Sequence, residues 1–217
     1  IVSYNVPEYV YVPVVLSSDV DGEGAKINVT AQMSDGSTIN ISDATYSSSD
    51  SNIIVSGLSE LYSFVLGSQS EVTVYHDLTE IGKTQAFSIG SPDITNAGEW
   101  VIKNRTEAST SCPLGQSLPT TTMLEQFFLD STQGNSIPDE LNEDICLRYG
   151  WPLLVGLDTC TPPGVISTGG ISTGSDDGYW SIDNPTIREH VSLANGSTVV
   201  NGDDRNFVVC VSNSAPF

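Results

Sequence analysis

Through the first ninety residues, apolar positions recur in short runs broken by clusters of Gly, Asp and Ser. Residues 10–16 are apolar and β-branched, with Pro13 marking an edge position or a bulge. Ile27-Asn28-Val29-Thr30-Ala31 alternates as a half-buried strand does, and Ile39-Asn40-Ile41 repeats the pattern after a turn at 34–37. Further runs follow at 44–50, 53–55, 61–66, 72–75 and 84–89. Seven or eight short strands at this spacing, with few helix formers between them, predict an antiparallel sandwich.

The pattern changes across residues 91–98, a polar junction bracketed by Pro92 and Gly98, which divides the chain into 1–94 and 95–217. Residues 99–102 predict a new strand. Residues 121–129 predict a helix with Leu124, Phe127 and Phe128 on one face, and Glu125, three positions after Thr122, fits a capping box. Residues 130–178 are rich in Pro and Gly, and a loop region of that size in a compact domain is usually functional or stapled. An acidic turn at 175–178 leads into Tyr179-Trp180. Val191-Ser192-Leu193 alternates, and Asn195-Gly196 supplies a hairpin turn tolerant of positive φ. The run 207–211 is too apolar for a strand with a wet face and predicts a central strand, pinned by Cys210.

Charge narrows the choice of partners. The 217 residues carry 27 acidic and 7 basic side chains, a net charge of -20. The excess is shared, -9 over residues 1–90 and -11 over 91–217, so neither half is a detachable acidic tail. Such a chain is repelled by nucleic-acid phosphates and anionic membranes. The favoured reading of the charge is solubility in a salty extracellular medium, with dedicated calcium binding as the alternative. No apolar run approaches the ~18–20 residues that span a bilayer, so no membrane insertion is expected. Without a starting Met or a signal peptide, Ile1 reads as a cut inside a longer protein or a processed N-terminus. All four cysteines follow residue 111 and suggest two disulfides formed in an oxidising compartment.

Two stretches resemble known families. Asp35-Gly36-Ser37, the run from Asp43-Ala44-Thr45-Tyr46 to Asp50, and Glu71-Val72-Thr73-Val74 resemble bacterial immunoglobulin-like domains, with Tyr46 where that pattern usually has Trp. The resemblance implies a spacer. Trp100, Cys112, Leu118-Pro119-Thr120, Leu124, Tyr149-Gly150-Trp151, Tyr179-Trp180-Ser181, residues 191–196 and residues 207–211 together resemble a C-type-lectin-like domain. More narrowly, they resemble the C-terminal tips of bacterial invasin/intimin-type adhesins, in which such a spacer comes directly before the tip. The expected fold is therefore an all-β immunoglobulin-like sandwich followed by an α+β C-type-lectin-like domain. The resemblance implies pairing of Cys112 with Cys210, which leaves Cys146 with Cys160, although four cysteines allow three connectivities. It also implies a monomeric piece of a longer surface protein, outside the bacterial cell, anchored in the outer membrane or secreted through its missing N-terminal part.

Candidate chemistry is sparse. Ile137-Pro138-Asp139, followed by Glu140, Glu143 and Asp144, is superficially like a lectin calcium triplet, but position 137 lacks a polar ligand and no Trp-Asn-Asp triplet follows. A solvated acidic loop is the favoured reading. Asp19, Asp21 and Glu23 form a second oxygen-rich turn without the rest of an EF-hand, so calcium is weighed there against an ordinary sandwich turn. His76 and His190 have no Cys/His neighbours at zinc spacing, no Gly-x-Ser-x-Gly elbow exists, and the glycines at 169–174 lack a following Lys-Ser/Thr. No enzyme is expected. Tyr149 and Trp151 read as ligand-stacking rings or as core, and Trp180 as core, because the matching family Trp is largely structural. Asp176, Asp177, Asp183, Asn184, Arg188, Asp203, Asp204 and Arg205 supply a polar rim. The expected function is non-catalytic adhesion to a surface receptor protein, with no cofactor required. Calcium-dependent glycan or peptide binding in the loop region is the alternative, and a structural role in a biofilm or surface scaffold is the third.

Overall fold

The computed structural model describes residues 1–15, 24–57, 59–92, 102–132, 145, 151, 178–183, 189–193, 196–200 and 205–216. In chain order the first half contains β1 (Ser3–Asn5), β2 (Tyr9–Pro13), β3 (Thr30–Gln32), β4 (Thr38–Asn40), β5 (Thr45–Ser48), β6 (Ile53–Ser56), β7 (Glu60–Ser63), β8 (Gln69–His76) and β9 (Thr79–Gly90). The second half contains β10 (Ile102–Asn104), α1 (Arg105–Ser109), β11 (Gln116–Ser117), α2 (Thr121–Thr132), β12 (Tyr179–Trp180), β13 (Glu189–Val191), β14 (Thr198–Val200), β15 (Arg205–Phe207) and β16 (Cys210–Ser212). The chain is mostly β-sheet.

Strand β9 is the hub. β8 pairs with it antiparallel, β5 pairs with β8, and β2 lies parallel to residues 85–89 of β9. Pro13 is the last residue of β2, where its missing N–H costs no interior ladder bond. Sheets β1-β3-β4 and β6-β7 complete this half. Alternation drives the packing: Val72 and Val74 of β8 point inward with Val10 and Val12 of β2, against Ile27, Val29 and Leu61. The pairing of this half is not purely antiparallel as the sequence predicts, since β2 runs parallel to β9. The strand expected from Ile27 starts only at Thr30. At Ile27 the backbone is engaged instead by Tyr46, whose hydroxyl accepts from the Ile27 N–H (3.1 Å) and donates to the Ile27 carbonyl (3.3 Å). Burial pushes that hydroxyl up to about 12.

In the second half, β10, β15, β12, β13 and β14 lie side by side in that order. β13 and β14 form the hairpin predicted around Asn195-Gly196, with Glu189 opposite Val200 and Val191 opposite Thr198. Helix α2 presents Leu124, Phe127 and Phe128 to the core as expected. Its cap is Thr120, whose Oγ1 accepts from Met123 N (3.1 Å), and not the Thr122–Glu125 box read from the sequence. Glu125 instead accepts from the Thr198 hydroxyl (2.7 Å) and ties α2 to β14. A capping box does form at α1, between Asn104 and Glu107.

The apolar run 207–211 departs most from expectation. It is two strands: β15 lies between β10 and β12, whereas β16 lies between β11 and β9. Phe207, Val209 and Val211 enter one core while Val208 and Cys210 enter another, so both faces are buried without the run being one strand. Through β16, with Cys210 opposite Gly90 and Val211 opposite Ile89, the sheet of the first half takes in a strand of the second. One core likewise draws on both halves, with Tyr11, Val14, Phe87 and Ile89 packed among residues of α2, Trp151 and Phe207.

Candidate functional site

The described residues that flank the predicted recognition loops in sequence gather around β12. Because successive strand residues face opposite ways, Tyr179 and Trp180 enter different cores. On one side a run of rings links Phe127, Trp151, Tyr179 and Phe207, with centroids 4.9, 5.7 and 5.3 Å apart. Trp151 is 0% exposed and its indole N–H donates to the Val14 carbonyl (3.2 Å). Of the two roles weighed for it in the sequence, it occupies the core role. On the other side Trp180 packs with Ala108, Leu118 and Cys210 and donates to the Lys103 carbonyl (2.7 Å), the core position that the sequence predicts. Arg105 lies 5.7 Å over the Trp180 ring and donates to the carbonyls of Ser181 and Ile182.

The residues that border the loops in sequence are hydrogen-bonded into these elements. Gly178, where the chain re-enters the sheet, donates to Asn206 Oδ1 (3.0 Å), and its carbonyl accepts from Phe207 N (2.9 Å). A Cβ there would lie 2.5 Å from His190 Cδ2 and 2.7 Å from the Val191 carbonyl oxygen, so only glycine lets the backbone approach this closely. Asp183, read as a rim residue, turns inward to the N-terminus of α2, where its carboxylate accepts from Thr121 N (2.6 Å). The Ile182 N–H donates to Pro119 O (2.8 Å) beside it. Asp183→Ala is expected to cost about 1 kcal/mol in urea unfolding, the usual loss for an anion at a helix start. An unchanged midpoint would release Asp183 for recognition.

Of the other predicted site residues, Arg205 contributes its backbone to β15, opposite Asn104. Tyr149, Asp176, Asp177, Asn184, Arg188, Asp203 and Asp204 lie outside the described residues. So do the calcium candidates Asp19, Asp21, Glu23, Asp139, Glu140, Glu143 and Asp144, and the proposed pair Cys146 and Cys160. The Cys112–Cys210 disulfide is present. Among the described residues no helix is long and apolar enough to cross a membrane.

Two titratable features escape the sequence reading. Asp130 of α2 is half-buried beside Tyr11, and burial raises its carboxyl from 3.8 to about 7 despite a hydrogen bond from Gln126 Nε2 (2.8 Å). The folded state therefore holds a proton that the unfolded state releases, and stability falls as pH rises from about 4 to about 7. Asp130→Asn is expected to flatten that slope and raise stability at pH 8 by ~2 kcal/mol, after discounting for partial exposure. Parallel pH profiles for the two proteins would contradict this. The second feature gathers Asp43, His76 and Asp77 at the far end of the β8–β9 hairpin, with one ligand atom from each within 4.8 Å of the others. The adjacent His76-Asp77 was its only trace in the sequence, since Asp43 is remote along the chain.

No family model matches the chain, and no curated protein matches it. Among solved structures, the crystal structure of invasin, a bacterial integrin-binding protein, is similar over 95% of this chain and 35% of that one, at 14% identity and a TM-score of 0.39. This chain thus spans about a third of that protein's length. At this identity and TM-score the likeness decides neither the fold nor the function of the chain.

Proposed function

We propose that the chain is the distal part of a bacterial cell-surface adhesin, with an immunoglobulin-like spacer over 1–94 and a C-type-lectin-like recognition unit over 95–217. Recognition is non-catalytic, and the ligand is a surface protein. The observation that carries this reading is the Cys112–Cys210 bond, the pairing implied by the motifs of the second half. It clasps the segment after α1 to β16, and β16 is itself paired with β9. Supporting it, Trp151 and Tyr179 are buried in the core, and Gly178 and Asp183, which border the predicted loops in sequence, are hydrogen-bonded to Asn206 and to the start of α2. A strand and a core shared between the halves suit a tip that must transmit force to its stalk.

The whole chain is the right probe, because a 95–217 fragment would strip Phe127 and Trp151 of Val14 and Phe87. Immobilised surface proteins and glycans would be screened with it, with and without EDTA. Saturable binding to a protein, undiminished by chelation, is expected. Binding to a glycan or peptide that chelation abolishes would favour the calcium reading. Absence of binding under both conditions would leave the scaffold role.

A further inference from the structure

The hairpin end opposite the shared core carries a ligand set that none of the recognition chemistry uses. His76 ends β8, Asp77 opens the two-residue turn into β9, and Asp43 comes from the connection between β4 and β5. Asp43 Oδ1 lies 3.4 Å from His76 Nε2. Asp77 Oδ2 lies 3.9 Å from Nδ1. The carboxylates face solvent, with side chains 72% and 86% exposed, whereas the His76 side chain is 13% exposed. From β1, 72 residues away, the Tyr4 hydroxyl sits 2.8 Å from Nδ1, and its ring meets the imidazole edge-on at 5.5 Å.

One imidazole and two carboxylates are a nitrogen–oxygen set of the kind zinc accepts, with bonds of roughly 2.0–2.2 Å. Calcium is disfavoured, since it prefers six to eight oxygens. In a tetrahedral site, ligand atoms stand roughly 3.4 Å apart. The 3.4 Å contact between Asp43 and Nε2 already meets this. Asp77, 3.9 Å from Nδ1, has to swing toward Nε2, and one ligand atom from each of the three residues already lies within 4.8 Å of the others. Tyr4 supplies the outer support that metal-bound imidazoles commonly have: in the tautomer with the proton on Nδ1, the Tyr4 hydroxyl accepts its hydrogen bond and the Nε2 lone pair is left for the ion.

We propose that Asp43, His76 and Asp77 form a three-ligand zinc site with its fourth position open, and that Tyr4 positions the imidazole. The bound ion clamps the β4–β5 connection to the β8–β9 hairpin and, through Tyr4, holds β1 against the end of the larger sheet. The proposal is independent of the adhesin reading.

The test titrates EDTA-stripped full chain with ZnCl2, followed by calorimetry and by NMR of the imidazole nitrogens. The chain has two histidines, and His190 is 0% exposed, so the signal from His76 stands apart. One equivalent of zinc is expected to bind with Kd on the order of 1–100 μM and to shift His76 Nε2. At 100 times Kd it favours the folded state roughly 100-fold. Asp43→Asn/Asp77→Asn, confined to exposed side chains, and His76→Ala should each remove this binding. Tyr4→Phe should weaken it about 10-fold while leaving the stoichiometry intact. Zinc binding that persists in Asp43→Asn/Asp77→Asn or His76→Ala, a Kd above about 1 mM, or equal binding of CaCl2 at the same nitrogen would overturn the site.

Discussion

Trp151→Ala is expected to lower the free energy of unfolding by about 3–5 kcal/mol, the range for removing a fully buried Trp. The indole fills space between Phe127 and Tyr179, and truncation leaves a cavity that neither ring can close without losing its own contacts. It also deprives the buried Val14 carbonyl of the indole N–H. Trp151→Phe separates the two terms by keeping a ring and losing the donor, and should cost about half as much. Urea unfolding at fixed pH measures both. A loss below about 1 kcal/mol for the Ala variant, accompanied by lost ligand binding, would return Trp151 to the recognition surface.

Cys112→Ala/Cys210→Ala should be comparably severe, at about 4–5 kcal/mol. The bond closes a loop of sequence separation 98, and in the chain-entropy model the unfolded chain regains most of its freedom when so long a loop opens. Cys210 is also wholly buried with Trp180 and Val208, so the variant loses packing there. Its strand joins β11 to β9, and hydrogen exchange should therefore show faster opening of β16 than of β8. A double variant as stable as the parent, under oxidising and reducing conditions alike, would show that the bond closes no loop that matters to folding.

Much of the second half was legible because its signals are local. The face of α2 follows from 3.6-residue spacing at Leu124, Phe127 and Phe128. The β13–β14 hairpin follows from Asn195-Gly196, and burial of 207–211 on both faces follows from an unbroken apolar run. Helix α1 carries a local signal too, the Asn104–Glu107 capping spacing. The chemistry was harder to see. His76 has no ligand neighbour in the sequence apart from Asp77, and only folding brings Asp43 and Tyr4 to it.

By itself, then, the sequence determined the periods, the turns and the acidic surface, since each depends on residues a few positions apart. It did not determine which surfaces meet. Trp151 turned inward because Val14, 137 residues earlier, offers its carbonyl there. Asp183 became a helix anchor because α2 begins beside it. The run 207–211 divided into two strands because its first part pairs between β10 and β12 and its last part between β11 and β9. Period and hydrophobicity set how much is buried, and only long-range packing chooses the partner.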